Sequence, residues 1–555
     1  MRKKLLLSAL LLAAGVAVMA AEPILRAGII TDTHVTRKKQ SCNLLREALK
    51  LFKSHNVDLV INVGDIADQY YEQGYKHYRD TVNEVFSDGK RPQEIFVYAN
   101  HDIIGRKKEK PFDVFKDVKK HLQIPNDPYD VVKIKGYTFV VFPQFYRKGR
   151  YKKMMDKAVR ENVGKPVFVL DHVPPANTVF DSGVWGSHST RELIEKYPTA
   201  IHISGHVHGT LTNELNIWQD KFTAVNAGGL AYWHGALTGN VPSEHKSDMA
   251  MVMEVYADKV VFRRFFSTTK EEYQADTPWC VPLPFDPKTA PYNHARLKEK
   301  SVVPEFPANA AATVSAAPKG MKISFPSATH KDGVFNYKME LFTKVDGSWK
   351  MFARQDITGD FMIPASKRAK TVVHTFNWGF FDNGKEYQVK VYPVHFFGKI
   401  GKPISVDFTV NGKPEAKVVY ECKNPMKELV YLSGLEKGAP FTLDADGFYN
   451  VDRPRINTRL ELPAGVWEGK RGTRFRFTVD VDLKQAPGAA WTLVLRNHNP
   501  LKNATHRISS VPGNAGMLRY VMEFNKARDS FNYYLLIREG GKGKVKFDYV
   551  KIEKL

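Results

Sequence analysis

The chain has 555 residues, 43% of them hydrophobic, more than one hydrophobic core usually serves, so about two to four globular domains are expected. A formal net charge of +23 attracts anions in general, but the basic residues are spread over every region and name no partner. The three cysteines, Cys42, Cys280 and Cys422, lie far apart, so their spacing defines neither a disulfide framework nor a thiolate metal motif.

Residues 1–21 have the form of a cleavable secretory signal: Met1-Arg2-Lys3-Lys4, an apolar run from Leu5 to about Val18, then small residues to Ala21 before Glu22-Pro23. The apolar run is shorter than the ~20 residues a membrane-spanning helix needs, and no later segment is longer. No cysteine at the exit marks a lipid-modified N-terminus. A periplasmic or secreted protein is expected, with no transmembrane segment after cleavage.

Residues 22–266 alternate apolar strand runs with helical stretches such as Asn43 to His55, where Leu44, Leu45, Ala48, Leu49 and Phe52 recur at helical spacing. A layered α/β domain follows, closed by a hairpin from Met249 to Phe265. Five of its strand runs end in polar residues: Gly28-Ile29-Ile30 in Thr31-Asp32-Thr33-His34, Leu59-Val60-Ile61 in Asn62-Val63-Gly64-Asp65, Ile95-Phe96-Val97-Tyr98-Ala99 in Asn100-His101-Asp102, Val167-Phe168-Val169-Leu170 in Asp171-His172, and Ile201-His202-Ile203 in Ser204-Gly205-His206-Val207-His208. Ligands of α/β sheets bind in the crevice outside the strand ends, so five strands can deliver these groups to one point. Residues 267–307, rich in proline, are expected to form a linker packed over this domain. Residues 308–415 and 416–555 show short alternating strands, which predict two all-β sandwiches, the second of jelly-roll type.

Taken in order, Asp32-Thr33-His34, Gly64-Asp65, Asn100-His101-Asp102, His172 and Gly205-His206-Val207-His208 resemble the five signature blocks of calcineurin-like metallophosphoesterases, over residues from about 24 to 266. Intervals of about thirty residues suit a strand, a crossover helix and the next parallel strand. The resemblance implies a four-layer α/β/β/α sandwich and two divalent metal ions. Asp65 would bridge them, with Asp32, His34 and His208 at one ion and Asn100, His172 and His206 at the other. A carboxylate is needed between cations about 3.5 to 4 Å apart because they repel. Oxygen and imidazole donors suit manganese, iron or zinc alike. A hydroxide bridging the ions would attack phosphorus, and His101 would assist the leaving group, oriented by Asp102 or Asp68.

Two departures from the family stand out. Ala99 occupies a position that is usually glycine, which would cost about 1 kcal/mol if that position needs positive φ. Asp68 stands where purple acid phosphatases carry a tyrosine ligand, which disfavours a ferric-tyrosinate site.

Basic loops follow the ligand blocks, Arg37-Lys38-Lys39 and Arg106-Lys107-Lys108, with Arg147-Lys148-Gly149-Arg150 further on. They read either as a rim for an anionic substrate or as solvated loops. Trp185, Tyr232 and Trp233, with His234, either stack on a base or sugar or pack internally. The residues carried forward as substrate contacts are Arg37, Arg106, Trp233 and His234.

The run Asn383 to Val394 resembles the late strands of a fibronectin type III domain, with Tyr387 as its corner tyrosine. The closing Phe547-Asp548-Tyr549-Val550-Lys551-Ile552-Glu553 is similar to the last strand of carbohydrate-binding modules, which implies glycan contact through the C-terminal sandwich. The reading as a whole is an exported phosphoesterase acting on mono- or diesters of a phosphorylated small molecule or glycan. The competing reading is a surface glycan-binding protein with a vestigial phosphoesterase domain. No nucleic-acid-binding motif is present to give the positive charge a specific partner of that kind.

Overall fold

The computed structural model describes residues 22–36, 42–68, 72–106, 108–146, 148–233, 248–299, 302–423, 425, 430–432, 443–451, 458–463, 465–485, 491–497, 505–511, 516–527, 533–538 and 543–555. The expected signal segment, residues 1–21, lies outside them.

The N-terminal domain contains, in chain order, β1 (Leu25–Ile30), β2 (Leu59–Asn62), β3 (Gln93–Phe96), β4 (Asp130–Ile134), β5 (Tyr137–Val141), β6 (Val167–Leu170) and β7 (Ala200–Ser204). They are followed by β8 (Ile217–Gln219), β9 (Thr223–Asn226), β10 (Met249–Val255), β11 (Lys259–Phe266), β12 (Glu272–Tyr273) and β13 (Trp279–Pro282). One sheet has the order β12-β11-β10-β1-β2-β3, with β13 also on β11; the other runs β4-β5-β6-β7-β9-β8. β1, β2 and β3 are parallel to one another, as are β5, β6, β7 and β9. Parallel neighbours require crossovers, and helices α1 (Asn43–Ser54) and α2 (Glu72–Val85) supply the first two. In α1, Leu45, Ala48, Leu49 and Phe52 bury one face. Gly28 lets that face close on β1, because a Cβ there would sit 2.4 Å from Phe52 Cγ.

The strands are buried on both faces, which explains their unbroken apolar runs. Between the sheets, Ile29, Ile61 and Val97 share one core with Phe139, Phe168 and Ile203. On the outer face of the first sheet, Ile30, Val60 and Phe96 pack with α1, α2 and α3 (Pro111–Leu122) through Leu49, Tyr78 and Phe115. The outer face of the second sheet packs Val140 and Val169 on α4 (Lys148–Glu161), through Tyr151 and Met155. Each such side chain contributes about 1.5–3 kcal/mol when fully buried, so strand positions are well determined and strand ends are fixed platforms.

The proline-rich stretch is more than a linker, because two of the sheet's strands lie within it. β12 and β13 pair with β11, and Trp279 is only 1% exposed. These strands help to enclose Arg264, which is fully buried. Its guanidinium lies 4.1 Å from the Trp279 ring centroid and 5.0 Å from that of Tyr273, and it donates to Glu214 Oε1 at 2.6 Å and Gln274 Oε1 at 2.6 Å. Proline-rich sequence hid these strands because edge strands tolerate proline and lack long periodic runs.

Two all-β modules follow. The first packs Thr313–Ala317, Gly320–Pro326 and Thr371–Asn377 against a sheet of Asn336–Val345, Ser348–Thr358, Glu386–Val394 and Ile404–Thr409. Tyr387 is buried there, and its hydroxyl accepts the Asp382 backbone N–H at 2.8 Å. The second module has two five-stranded antiparallel sheets around a core that includes Trp467, Phe475, Phe477 and Phe547. Val521 of this module joins the core of the preceding one. Among the described residues, no helix is long and apolar enough to cross a membrane.

Replacing Arg264 by alanine leaves Glu214 buried beside an empty space. The expected result is a loss of about 3 kcal/mol in the N-terminal domain, read as a lower urea midpoint for its unfolding transition.

Candidate metal centre

The loops that leave β1, β2, β3, β6 and β7 meet outside the strand ends. They bring Asp32, His34, Asp65, Asn100, His172, His206 and His208 into one region. Two groups form there: Asp32, His34, Asp65 and His208 in one, and Asp65, His172 and His206 in the other, with Asp65 common to both. Within the first, His208 Nε2 lies 3.1 Å from Asp32 Oδ1 and 3.3 Å from His34 Nε2. In the second, His172 Nε2 lies 3.1 Å from Asp65 Oδ2.

Tight turns produce this convergence. Asp32, His34, Asp65, His206 and His208 have φ of 50°, 40°, 51°, 71° and 48°, the left-handed region that costs a residue with a Cβ about 1 kcal/mol or more. Cross-strand bonds hold them there: Asp32 N–H donates to Gly64 O at 3.0 Å and His34 N–H to Asp65 O at 3.0 Å. Gly64 itself has φ +105°, and a Cβ on it would meet His172 Nδ1 at 2.7 Å and the Ala99 Cβ at 2.9 Å. Ala99 is not among the positive-φ residues, so the strain expected of it is absent. The requirement for glycine falls on its neighbour across the turn.

Several of the atoms that do not face the centre are engaged by hydrogen bonds. Asp32 Oδ2 accepts from Thr31 Oγ1 at 2.9 Å and from the His206 N–H at 3.0 Å; Asp65 Oδ1 accepts from the His101 N–H at 2.9 Å. His172 Nδ1 donates to Val63 O at 2.7 Å and His208 Nδ1 to Tyr232 O at 3.1 Å, which fixes both rings by the nitrogen opposite Nε2. The Asn100 N–H donates to Gln144 Oε1 at 2.7 Å. By contrast, Asp32 Oδ1, Asn100 Oδ1 and His172 Nε2 are buried and make no hydrogen bond. Buried polar atoms without partners are costly, and three of them within one ligand set fit cations. The donors, carboxylate, amide oxygen and imidazole, suit divalent metal.

Charge in the protein alone points the same way. Burial alone would raise Asp32, yet the imidazoles of His208 and His172 hold its carboxyl well below the usual range. Asp65 is likewise lowered against its burial, chiefly by His172. Although burial opposes it, His172 is pushed up to about 10 by the two carboxylates. Burial and the positive His172 bring His206 down to about 4. The surroundings thus favour the ionised form of both carboxylates, the form that binds cations.

His101 lies at the edge of this centre, its side chain 26% exposed. Its Nδ1 is 3.1 Å from Asp68 Oδ1, and its ring stands edge-on to His34 at 4.6 Å. Of the two carboxylates considered for orienting it, Asp68 makes the contact. Asp102 is fully buried and accepts instead from the Ala99 N–H at 3.1 Å, the Ile66 N–H at 3.2 Å and the Tyr75 hydroxyl at 3.1 Å, bracing the loop backbone. Burial, with Asp65 nearby, raises Asp102 to about 7. His202 is fully buried away from the ligands, and burial depresses it to about 3.

Two residues carried forward as substrate contacts are engaged within the protein. Arg106 Nη1 is 2.5 Å from Asp117 Oδ2 and the guanidinium also pairs with Glu109, so its charge is spent on its own helix region. Trp233 is 6% exposed and packs with Phe335, Phe361 and Phe396 of the first β module. Arg37 and His234 lie outside the described residues. Sequence reasoning missed Gln144, Thr31 and Tyr75, which position ligands or their loops. Gln144 and Thr31 are single polar residues beside apolar runs and Tyr75 sits in a polar helical stretch, with no spacing to mark any of them.

Residues 25–210, about one third of the chain, match the family model of calcineurin-like phosphoesterases, which makes this stretch a metallophosphoesterase domain. The family and the buried His/Asp cluster together fit a metal-dependent phosphoesterase. None of the curated proteins matches the chain significantly. Solved structures similar to part of the chain include the CBM22-1 and GH10 modules of Clostridium thermocellum endo-1,4-beta-D-xylanase 10B complexed with xylohexaose, at 14% identity over 25% of this chain and 29% of that one, TM-score 0.21. The CBM22-1 xylan-binding domain of Paenibacillus barcinonensis Xyn10C matches at 11% identity over 25% of this chain and 95% of that one, TM-score 0.19. The C-terminal CBM6 of LamC from Zobellia galactanivorans matches at 13% identity over 24% of this chain and 100% of that one, TM-score 0.17. At such TM-scores these likenesses carry no functional argument.

A Cβ on Gly205 would lie 2.0 Å from Thr31 Oγ1 and 2.6 Å from Asp32 Oδ2. Gly205→Ala is therefore expected to lose stoichiometric divalent metal, measured by elemental analysis of the purified chain. Ala99→Gly should leave metal content unchanged.

Proposed function

We propose that the protein is an exported dinuclear-metal phosphoesterase that hydrolyses phosphate mono- or diesters. The observation that carries this reading is the convergence of carboxylate and imidazole groups from several strand ends, with Asp32 Oδ1, Asn100 Oδ1 and His172 Nε2 buried and without a hydrogen bond. Asp32, His34, Asp65 and His208 would hold one divalent ion, and Asp65, Asn100, His172 and His206 the other, drawn from manganese, iron or zinc. When bound, the ions supply Lewis-acid polarisation of a phosphoryl group and of water.

The chain's own residues supply the rest. Asp65 is held rigidly by the His101 N–H, so one carboxylate keeps both ligand groups in register. Val63 O and Tyr232 O orient His172 and His208 before any ligand arrives, so little reorganisation accompanies binding. His101, tied at Nδ1 by Asp68, presents its other nitrogen as a proton donor to the leaving alcohol. Its partial exposure keeps it within reach of a substrate.

The packing clusters of the N-terminal domain support an α/β/β/α layering. For the first β module, the three- and four-stranded sheets and the Tyr387 hydroxyl bond support a fibronectin type III-like fold. For the last we read a jelly-roll that contacts glycan, its resemblance resting on the closing strand. Export rests on residues 1–21. The ligand set, complete and internally braced, speaks against a vestigial domain.

Release of p-nitrophenol from p-nitrophenyl phosphate and bis-p-nitrophenyl phosphate, and ring opening of cyclic nucleotides to the linear monophosphate, each with added Mn²⁺, test the reading. Asp65→Asn is expected to lose metal and turnover together. His101→Ala should retain metal and slow by about a hundredfold or more. Equal rates for His101→Ala and the parent would remove the histidine from the mechanism, and no turnover by the metal-loaded parent would overturn the assignment.

A further inference from the structure

The chain carries 34 Phe, 24 Tyr and 8 Trp. Among the residues whose exposure is described, three of these large aromatic side chains are exposed, Phe145 at 41%, Trp185 at 48% and Tyr232 at 42%. Two of them, Tyr232 and Trp185, adjoin the metal centre. Tyr232 lies flat on the ligand His208, with ring centroids 4.1 Å apart and an interplanar angle of 20°, and also borders His34 at 5.1 Å. Trp185 stands edge-on to His206, at 6.3 Å and 81°. Phe145 directly follows Gln144, which accepts the Asn100 N–H. One open ring therefore stands at each of the two ligand groups.

Exposed rings of this size at a polar centre are not explained by folding. Trp233, next to Tyr232, is by contrast covered by the first β module. Both principal rings are also firmly placed. Trp185 ends a short helix, Ser182–Trp185, whose Ser182 is fully buried and donates to Val179 O at 2.6 Å. Tyr232 is fixed through its carbonyl by His208. Rigid, half-exposed rings on fixed backbone suit recognition of a flat ligand, since little side-chain freedom is lost on stacking.

We propose that the substrate is a phosphate ester bearing a planar ring, aryl or nucleobase, and that Tyr232 and Trp185 hold that ring beside the metal centre. This deepens the phosphoesterase reading and rests on it. Tyr232 and His101 both border the His34 ring, at 5.1 and 4.6 Å, so the leaving alcohol that His101 serves lies on the Tyr232 side. Esters of acyclic alcohols offer neither ring a π face.

The test uses the full, metal-loaded chain with Trp185→Leu, Tyr232→Leu and Tyr232→Phe, each checked for unchanged metal content. Phosphate release is compared among phenyl phosphate, uridine monophosphate and glycerol phosphate, and affinity between phenylphosphonate and methylphosphonate by calorimetry. The parent is expected to favour ring-bearing compounds by about tenfold or more. Each leucine variant should lose several-fold of that preference, in KM more than kcat, while Tyr232→Phe keeps it. Preference for phenyl phosphate alone assigns an aryl ligand, and preference for uridine monophosphate a nucleobase. No ring preference in the parent, or the same preference in both leucine variants, overturns the clamp. Should no ester turn over, the phosphonates separate the two readings. Tighter phenylphosphonate binding that the leucine variants lose keeps the clamp and sinks monoester hydrolysis, whereas equal or absent binding sinks the clamp.

Discussion

Two carboxylates, Asp32 and Asp65, are shut away from water within reach of the same imidazoles, and the N-terminal domain is organised around what that demands. Neither could stay ionised in a dry interior without nearby positive charge. Each therefore has one oxygen braced by backbone and hydroxyl donors and the other turned toward histidine. The remaining unpartnered atoms, Asp32 Oδ1, Asn100 Oδ1 and His172 Nε2, belong to the same cluster, an arrangement that suits cations. A buried network left half satisfied is unfavourable, and its survival in a folded domain is the physical sign of a ligand.

The backbone carries the cost of gathering these groups. Five ligand residues adopt the left-handed conformation in turns that a continuous strand or helix would not permit. Bonds between adjacent turns, and glycines at positions 64 and 205 where a Cβ would strike neighbouring side chains, keep the turns from relaxing. The two cores above and below each sheet supply the stability against which this local strain is held.

Much of this was legible in the sequence because the signal was repeated. An apolar run of strand length ending in Asp, Asn or His recurs five times, and the structure brings those ends together. Direction was harder to read than position. Arg106 and Trp233 both follow strand ends, as a rim residue would, but sequence adjacency does not say where a side chain turns. Arg106 finds Glu109 three residues on and Asp117 on α3, and Trp233 finds an aromatic pocket more than a hundred residues away in the chain. The edge strands at residues 272–273 and 279–282 were masked by prolines, which edges accept. Gln144 and Tyr75 act through single hydrogen bonds to loops remote in sequence, for which no local pattern exists.

One peptide link joins two features already described. The carbonyl of Tyr232 steadies His208, and the next side chain, Trp233, is embedded among Phe335, Phe361 and Phe396 of the first β module. The module boundary drawn along the sequence is thus not a mechanical boundary. Tilting or removing the sandwich would uncover an indole and tug directly on an imidazole of the centre, so the appended module serves as a buttress of the hydrolase and not as its passenger.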